Sequence, residues 1–319
     1  MSDSSVDLSK AVGFEFDPQE VSWNKRDLIV YALGIGAKKD DLSLVYELHP
    51  SFTPFPTYPA VLGYKGTDHD TNVYAERASL KSAPGLPKFD PNRGIHAYQT
   101  LEVLKPLPTV SGPGWKLKRR LTTVQENKSG IIVEAEILLV SPDGTPYAKI
   151  YSAGFNLGAK AHGTKFAKSI GGPPKAPAIP QREPDYVFQD QTTPEQAAIY
   201  RLSGDYNPLH IDPRIGQKTG FGGVILHGLS TYGFGARALV NTIGGGDPNA
   251  LKYIGVRFTS PVIPGDALET RAWDVGPAPS SAGEGLREIA FETKVVKTGK
   301  VVLGSGHAYV KKAAGGAKL

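Results

Sequence analysis

Two stretches of this chain run in step, and that correspondence constrains the fold more than any other feature. Residues 129–155 read SGIIVEAEILLVSPDGTPYAKIYSAGF, and residues 286–310 read LREIAFETKVVKTGKVVLGSGHAYV. Each alternates apolar and polar positions, breaks at a turn (Pro142-Asp-Gly144 in one, Thr298-Gly299 in the other) and resumes, the pattern of paired antiparallel strands. Ahead of them, LKPLP (104–108) and SPVIP (260–264) hold corresponding places. Each set follows a helix candidate: Trp23 to Leu33, closed by Gly34-Ile-Gly36, and His227-Gly228 to about Thr242. Helix then antiparallel strands, twice, describes a duplicated α+β chain, and 319 residues suffice for two domains. Between the copies, five prolines (Pro173, Pro174, Pro177, Pro180, Pro184) define a stiff extended linker. The expected division is 1–165, a linker over 166–185, and 186–319. Elsewhere, residues up to about Phe14 read as a loose arm, Leu42 to Leu48 as an extended run, and Pro54 to Leu62 as a segment wrapping a surface. Asp68, His69 and Asp70 are too close in sequence to converge on one ion, so they read as a solvated loop.

Composition narrows the function classes. The chain is 40% hydrophobic and 21% charged, which is globular. Its net charge of +5 is spread out, and no nucleic-acid motif accompanies it, so nucleic acid is not an expected partner. The densest basic run, Lys116-Leu-Lys-Arg-Arg120, reads as the solvated face of a strand; its functional alternative is attraction of a phosphate-rich small ligand such as coenzyme A. The absence of cysteine excludes thiolate catalysis, disulfides and cysteine metal sites. No stretch is long and apolar enough to span a bilayer, and MSDSSVDLSK lacks the apolar core of a secretory signal. Ala317-Lys318-Leu319 is similar to the Ser-Lys-Leu peroxisomal address, so the expected location is the peroxisome and an import receptor is an expected partner.

Chemistry concentrates in Gly204-Asp-Tyr-Asn-Pro-Leu-His210. Pro208 fixes its own φ and cannot continue a helix, and Asn207 before it is pushed toward extended geometry. The stretch is therefore a rigid loop that brings the acid Asp205, the amide Asn207 and the base His210 near one point. Such a pair can hold and polarise a water. The competing reading is structural: Asp and Asn are turn residues, and a buried histidine can simply be satisfied in a core. For one residue alone that reading is the better one; for all three at this spacing, function is favoured. Upstream, Thr193-Pro-Glu-Gln196 has the form of an N-cap, first-turn proline and capping box, predicting a helix through Leu202. Downstream, Asp212-Pro213 opens a second short helix.

The helix from Gly228 carries two more glycines, Gly233 and Gly235, where a sheet is expected to wrap closely. Gly228 stands in the first turn, whose N–H groups lack intrahelical partners and carry the positive end of the helix dipole. A carbonyl oxygen placed there would be polarised. His227 reads as a capping or packing residue. Gly244-Gly-Gly246 reads as a helix stop, since no Lys-Ser/Thr pair follows to make a phosphate loop.

YRLSGDYNPLHIDP followed by GFGGVILHGLSTYGF closely resembles the R-specific enoyl-CoA hydratase 2 family, the MaoC-like hydratases. WNKRDLIVYALGIGA, LKPLP and VRFTSPVIPGD extend the resemblance through both halves. One departure is Gly216, six residues after the histidine, where the family has Ala or Ser; as one small residue for another it is expected to leave activity unaffected. The resemblance implies a double hot-dog fold, each half wrapping a curved antiparallel sheet around a long helix, and a homodimer. It implies trans-2-enoyl-CoA as substrate and (3R)-hydroxyacyl-CoA as product, with neither metal nor redox cofactor. By match to the family motif, Asp205 and His210 are the catalytic pair, Asn207 helps hold the water and Gly228 donates to the oxyanion. Acyl-CoA contacts are implied at His96, Ala97, Lys128 and Phe258, and within the motif at Tyr206, Pro208 and Leu209; His96-Ala97 stands where the family has His-Gly. The first half, lacking the motif, is expected to accommodate the acyl chain. The alternatives are a biosynthetic 3-hydroxyacyl-thioester dehydratase, a hot-dog thioesterase, and a non-catalytic acyl-CoA-binding module, which has no need of both an acid and a base.

Overall fold

A computed structural model describes residues 6–314, apart from 75, 77–81, 91–92 and 162–164. The tripeptide Ala317-Lys318-Leu319 lies outside the described residues. The strands are β1 (Gln19–Glu20), β2 (Gly94–Val103), β3 (Lys116–Asn127), β4 (Gly130–Val140), β5 (Pro146–Leu157), β6 (Phe166–Ser169), β7 (Tyr186–Gln191), β8 (Leu251–Phe258), β9 (Ala267–Pro277), β10 (Leu286–Val295) and β11 (Val301–Lys311). They form one sheet in the order β1-β3-β4-β5-β2-β8-β11-β10-β9-β7, with β6 on β3, and its pairs are antiparallel. The order contains the same figure twice. β3-β4-β5-β2 in the first half repeats, reversed, as β8-β11-β10-β9 in the second. The two copies meet where β2 pairs β8, Tyr98 opposite Arg257 and Leu101 opposite Ile254. The corresponding runs found in the sequence are β4–β5 and β10–β11. This is the double hot-dog fold.

Helices fill the concave side. The longest, α7 (Gly228–Thr242), is buried at every residue from Leu229 to Val240, because strands β7, β8, β9 and β11 of the sheet cover one side and α2 (Lys25–Gly34) with α5 (Gln196–Tyr200) the other. α2 begins at a capping box, Asn24 accepting from the Asp27 N–H and Asp27 accepting from the Asn24 N–H. Close packing explains the glycines of α7, though not by the sheet alone. A Cβ on Gly235 would stand 2.9 Å from Leu303 of β11, whereas one on Gly233 would collide with Ile35, at the end of α2. Arg237 is the one charged side chain on α7, and it is paired with Asp190 (2.7 Å) and Asp41 (3.2 Å).

Three local expectations are corrected. The N-terminal segment is not a loose arm: α1 (Leu8–Ala11) starts on an Asp7 cap and buries Leu8 and Ala11 against Leu121, Val124, Ile131 and Ala135. Gly13, Phe14 and Phe16 then exchange backbone hydrogen bonds with Arg119 and Leu121, so the segment pairs along β3 instead of drifting in solvent. The run from Leu42 to Leu48 is not extended; Leu42–Val45 is a helical turn, α3, which turns Leu44 into the core. The helix expected to start at Pro194 starts at Gln196, with no side-chain cap. The Gln196 side chain does reach back, accepting from the Thr193 N–H at 3.4 Å, but its amide also donates to the carbonyls of Leu33 and Gly34, both at 2.9 Å. That tie to the end of α2 holds α5 in place of a local cap.

Candidate active site

The motif loop is held from both sides. Gly204 has φ +124°, and a Cβ there would lie 2.6 Å from the backbone nitrogen of Lys65, at the end of α4 (Leu62–Lys65). Only glycine allows that turn and that approach. Lys65 is itself fixed beneath the loop, its Nζ donating to the carbonyls of Ser22 and Asp68 (2.9 Å each) and lying 3.4 Å from Asp27. Within the loop, the Asn207 N–H donates to Asp205 Oδ1 (3.2 Å) and the Leu209 N–H donates to Asn207 Oδ1 (3.0 Å). Asn207 is extended, as its place before proline requires, and Pro208–His210 make a single 3₁₀ turn. Asn207 thus caps the turn that carries His210.

That turn aims His210 inward, where it is buried. Its Nδ1–H donates to the Ile225 carbonyl at 2.8 Å, which leaves Nε2 as the lone-pair nitrogen. The Asp205 carboxylate and one ring nitrogen each from His210 and His227 lie within 4.8 Å of one another. Burial raises the Asp205 pKa against the opposing pull of His210, and lowers that of His210 against the pull of Asp205. Both shifts favour the uncharged forms, the direction that brings a carboxyl and an imidazole toward neutral-pH acid–base work.

A two-histidine, one-carboxylate cluster also raises a metal reading. The His210 and His227 rings stack with centroids 3.7 Å apart and planes at 29°. One nitrogen on each ring donates to a backbone carbonyl, which leaves each ring one lone pair, a donor set open to a proton or to a cation alike.

Gly228, next in sequence to His227, opens α7. The Ser230 and Thr231 N–H groups donate back to the His227 carbonyl, and no side chain caps the helix, so the first amides of α7 keep no side-chain partner. Phe258, at the end of β8, lies over Gly228, 3.2 Å from where a Cβ would stand. His96 packs on Phe258 with centroids 4.7 Å apart. Its Nε2 meets Gln99 Oε1 (3.1 Å) and Ser152 Oγ (3.0 Å), and burial lowers its pKa to about 4. Asp205, Asn207, His210, Gly228, Phe258 and His96 therefore form one connected group. Ala97 sits beside it, in the bulge between His96 and Tyr98. Tyr206 is buried under the Arg201 guanidinium (4.9 Å to the ring centre), Leu209 is half-buried and Pro208 exposed. Lys128 stands in the β3–β4 turn, where its carbonyl accepts from Lys160.

Three features escaped the sequence reading. The Tyr64 and Tyr74 phenols lie near the acid: desolvation of the hydroxyl first, then the charge of Asp205, raises both, although the Tyr64 ring is exposed along one side. Nothing in their local sequence marks them. His227 packs, as expected, but on the ring of His210. And Gly216 is more than an exchange of small residues. A Cβ there would collide with the Gly223 carbonyl, and the Phe221 N–H donates to the Gly216 carbonyl at 2.8 Å. The absence of a side chain lets residues 219–223 close onto α6 (Pro213–Lys218).

Fold and site together define a hot-dog hydro-lyase. Residues 175–301 match the MaoC like domain and residues 21–157 the MFE-2 hydratase 2 N-terminal domain. A crystal structure of a MaoC-like dehydratase from Phytophthora capsici aligns over 97% of this chain and 100% of that one, at a TM-score of 0.83 and 33% identity. The peroxisomal enoyl-CoA hydratase 2 of Arabidopsis thaliana is 33% identical over 320 residues, covering 95% of each chain. The probable dehydratase NIT22 of Ajellomyces capsulatus is 36% identical over 309 residues, 93% of this chain and 81% of that one. The chain also spans 39% of the length of the Mus musculus peroxisomal multifunctional enzyme type 2, at 34% identity. The chain belongs to the MaoC-like family, in its hydratase 2 branch, and is a hydro-lyase.

Proposed function

We propose that the chain catalyses reversible hydration of trans-2-enoyl-CoA to (3R)-3-hydroxyacyl-CoA, in peroxisomal fatty-acid metabolism and as a homodimer. The observation that carries this reading is the Asp205–His210 pair, a half-buried carboxylate and a buried imidazole with a carboxylate oxygen and a ring nitrogen within 4.8 Å, set beside the uncapped amino end of α7. A separation of that size suits one water held between the two groups. The water oxygen bonds to C3 while its proton passes to the pair. The thioester oxygen takes up charge against the Gly228 N–H, and the pair delivers a proton to C2 on the same face. The reverse sequence is dehydration, the sense in which the family and NIT22 are named. The group running from Phe258 to His96 receives the acyl thioester, and Ala97, Lys128, Tyr206, Pro208 and Leu209 complete the proposed contacts. Peroxisomal location rests on Ala317-Lys318-Leu319, proposed to engage the import receptor, and on the name of the Arabidopsis relative.

Incubation with trans-2-decenoyl-CoA tests the reading through loss of the enoyl absorbance and chiral separation of the product. The expected product is the 3R alcohol with no free coenzyme A. Release of coenzyme A assigns a thioesterase instead, and the 3S alcohol or no turnover refutes the proposal.

A further inference from the structure

The acid–base pair and the oxyanion donor belong to separate segments, the 205–210 loop and the start of α7. Turnover needs them in fixed register, because the water and the thioester are one reacting unit. Two reciprocal hydrogen bonds cross between the segments. His210 of the loop donates through Nδ1 to the carbonyl of Ile225, just ahead of α7 (2.8 Å). His227, the N-cap position of α7, donates through Nε2 to the carbonyl of Asp205 itself (3.1 Å). The two rings stack at 3.7 Å, and the Tyr200 ring closes the other side of His227 at 4.9 Å. The remaining nitrogen of His227, Nδ1, is buried without a hydrogen-bond partner, as expected of a lone pair once the proton is on Nε2.

We propose that His227 is a positioning residue for the hydratase reaction. In its Nε2–H tautomer it clasps the Asp205 backbone and the His210 ring, and so sets the acid–base pair at the right distance from the amide that follows it in sequence, Gly228. The inference rests on the function proposed above, and it assigns His227 no proton transfer. A structural histidine would need only to fill its space; this one spends its single donor on the backbone of the catalytic acid.

Four variants separate donor from ring. His227→Gln carries an N–H near the position of Nε2 but no ring. His227→Phe keeps a ring and has no donor. His227→Asn is a favoured N-cap whose amide is too short to reach Asp205. His227→Ala removes both features. With enoyl-CoA, the Phe, Asn and Ala variants are expected to lose about 10- to 100-fold in kcat, the scale of a sub-ångström to 1 Å misplacement, with KM within about threefold. The Gln variant is expected to stay within about fivefold of the parent. Equal losses for Gln and Asn, an unchanged kcat for Phe, or a loss of kcat that only follows a lowered thermal midpoint would overturn the proposal. Turnover by the unmodified protein in the same assay reads the hydratase function separately. Independently of turnover, ¹⁵N-histidine spectra should show His227 protonated on Nε2 and bare on Nδ1; the opposite tautomer or an imidazolium would refute the clasp.

Discussion

His96 links the site to a measurable pH dependence of stability. Its ring is packed on Phe258, and burial lowers its pKa from 6.5 to about 4. A lowered folded-state pKa means that the unfolded chain binds the proton more readily. The resulting stability is fully present above about 6.5 and is lost as pH falls toward 4. At pH 5 the unfolded imidazole is protonated and the folded one mostly neutral. The difference in proton binding is a factor of about 30, or roughly 2 kcal/mol by linkage. Because the side chain is only half-buried, about 1–2 kcal/mol is the expected share after solvent screening. His210 and His227 shift in the same direction. Glu134 has the opposite sign, its pKa raised to about 7 mainly by burial. The His96 share is therefore isolated as a difference between proteins. Urea unfolding at pH 7.5 and pH 5 should cost the parent about 1–2 kcal/mol more than His96→Gln, which can still donate to Gln99. An identical pH loss in the two proteins would show that His96 is not held neutral by the fold.

Asp205→Asn should lower kcat by about 10²- to 10⁴-fold with KM within a few-fold, followed by enoyl absorbance; full activity would remove Asp205 from the acid–base role. Gly216→Ala forces a methyl into the Gly223 carbonyl and should cost about 1–3 kcal/mol, read as a lower urea midpoint; an unchanged midpoint would mean that residues 219–223 give way freely. Arg237→Met leaves Asp190 paired with Lys38 alone (3.0 Å) and the partly exposed Asp41 without its guanidinium, and should destabilise by about 1–3 kcal/mol. Adding Asp190→Asn should then recover part of that loss, and no recovery would show that the ion pair is not its source.

Strand periodicity made the sheet legible, because alternation over β4–β5 and β10–β11 is a local property that tertiary packing reinforces. Asp205, Asn207 and His210 were legible for the same reason: a proline-fixed loop declares its geometry within seven residues. The segments read wrongly were those whose conformation is decided by distant partners. α1 exists because Leu8 and Ala11 find Leu121 and Ile131, more than a hundred residues away. α5 is held by Gln196 on Leu33 and Gly34, so its local cap signal misplaced its start. Tyr64 and Tyr74 feel the charge of Asp205 across 141 and 131 positions, a relation no spacing encodes. His227 stands beside a legible glycine, but its hydrogen bond to Asp205 depends on how the loop folds back over α7.

The seam between the halves explains why one site can draw on both. β2 and β8 are the only strands that pair across the duplication among the described residues, and each delivers one residue to the same place: His96 near the start of β2 and Phe258 at the end of β8, in ring contact. The second half supplies the long buried helix whose first residue, Gly228, lies against the Phe258 ring, and the loop carrying Asp205 and His210. On the proposed function, a site at the seam joins an acid–base end built by one half to a contact face completed by the other. The first half lacks the motif, yet its strand β2 brings His96 into ring contact with Phe258, which is what that half would add to the site.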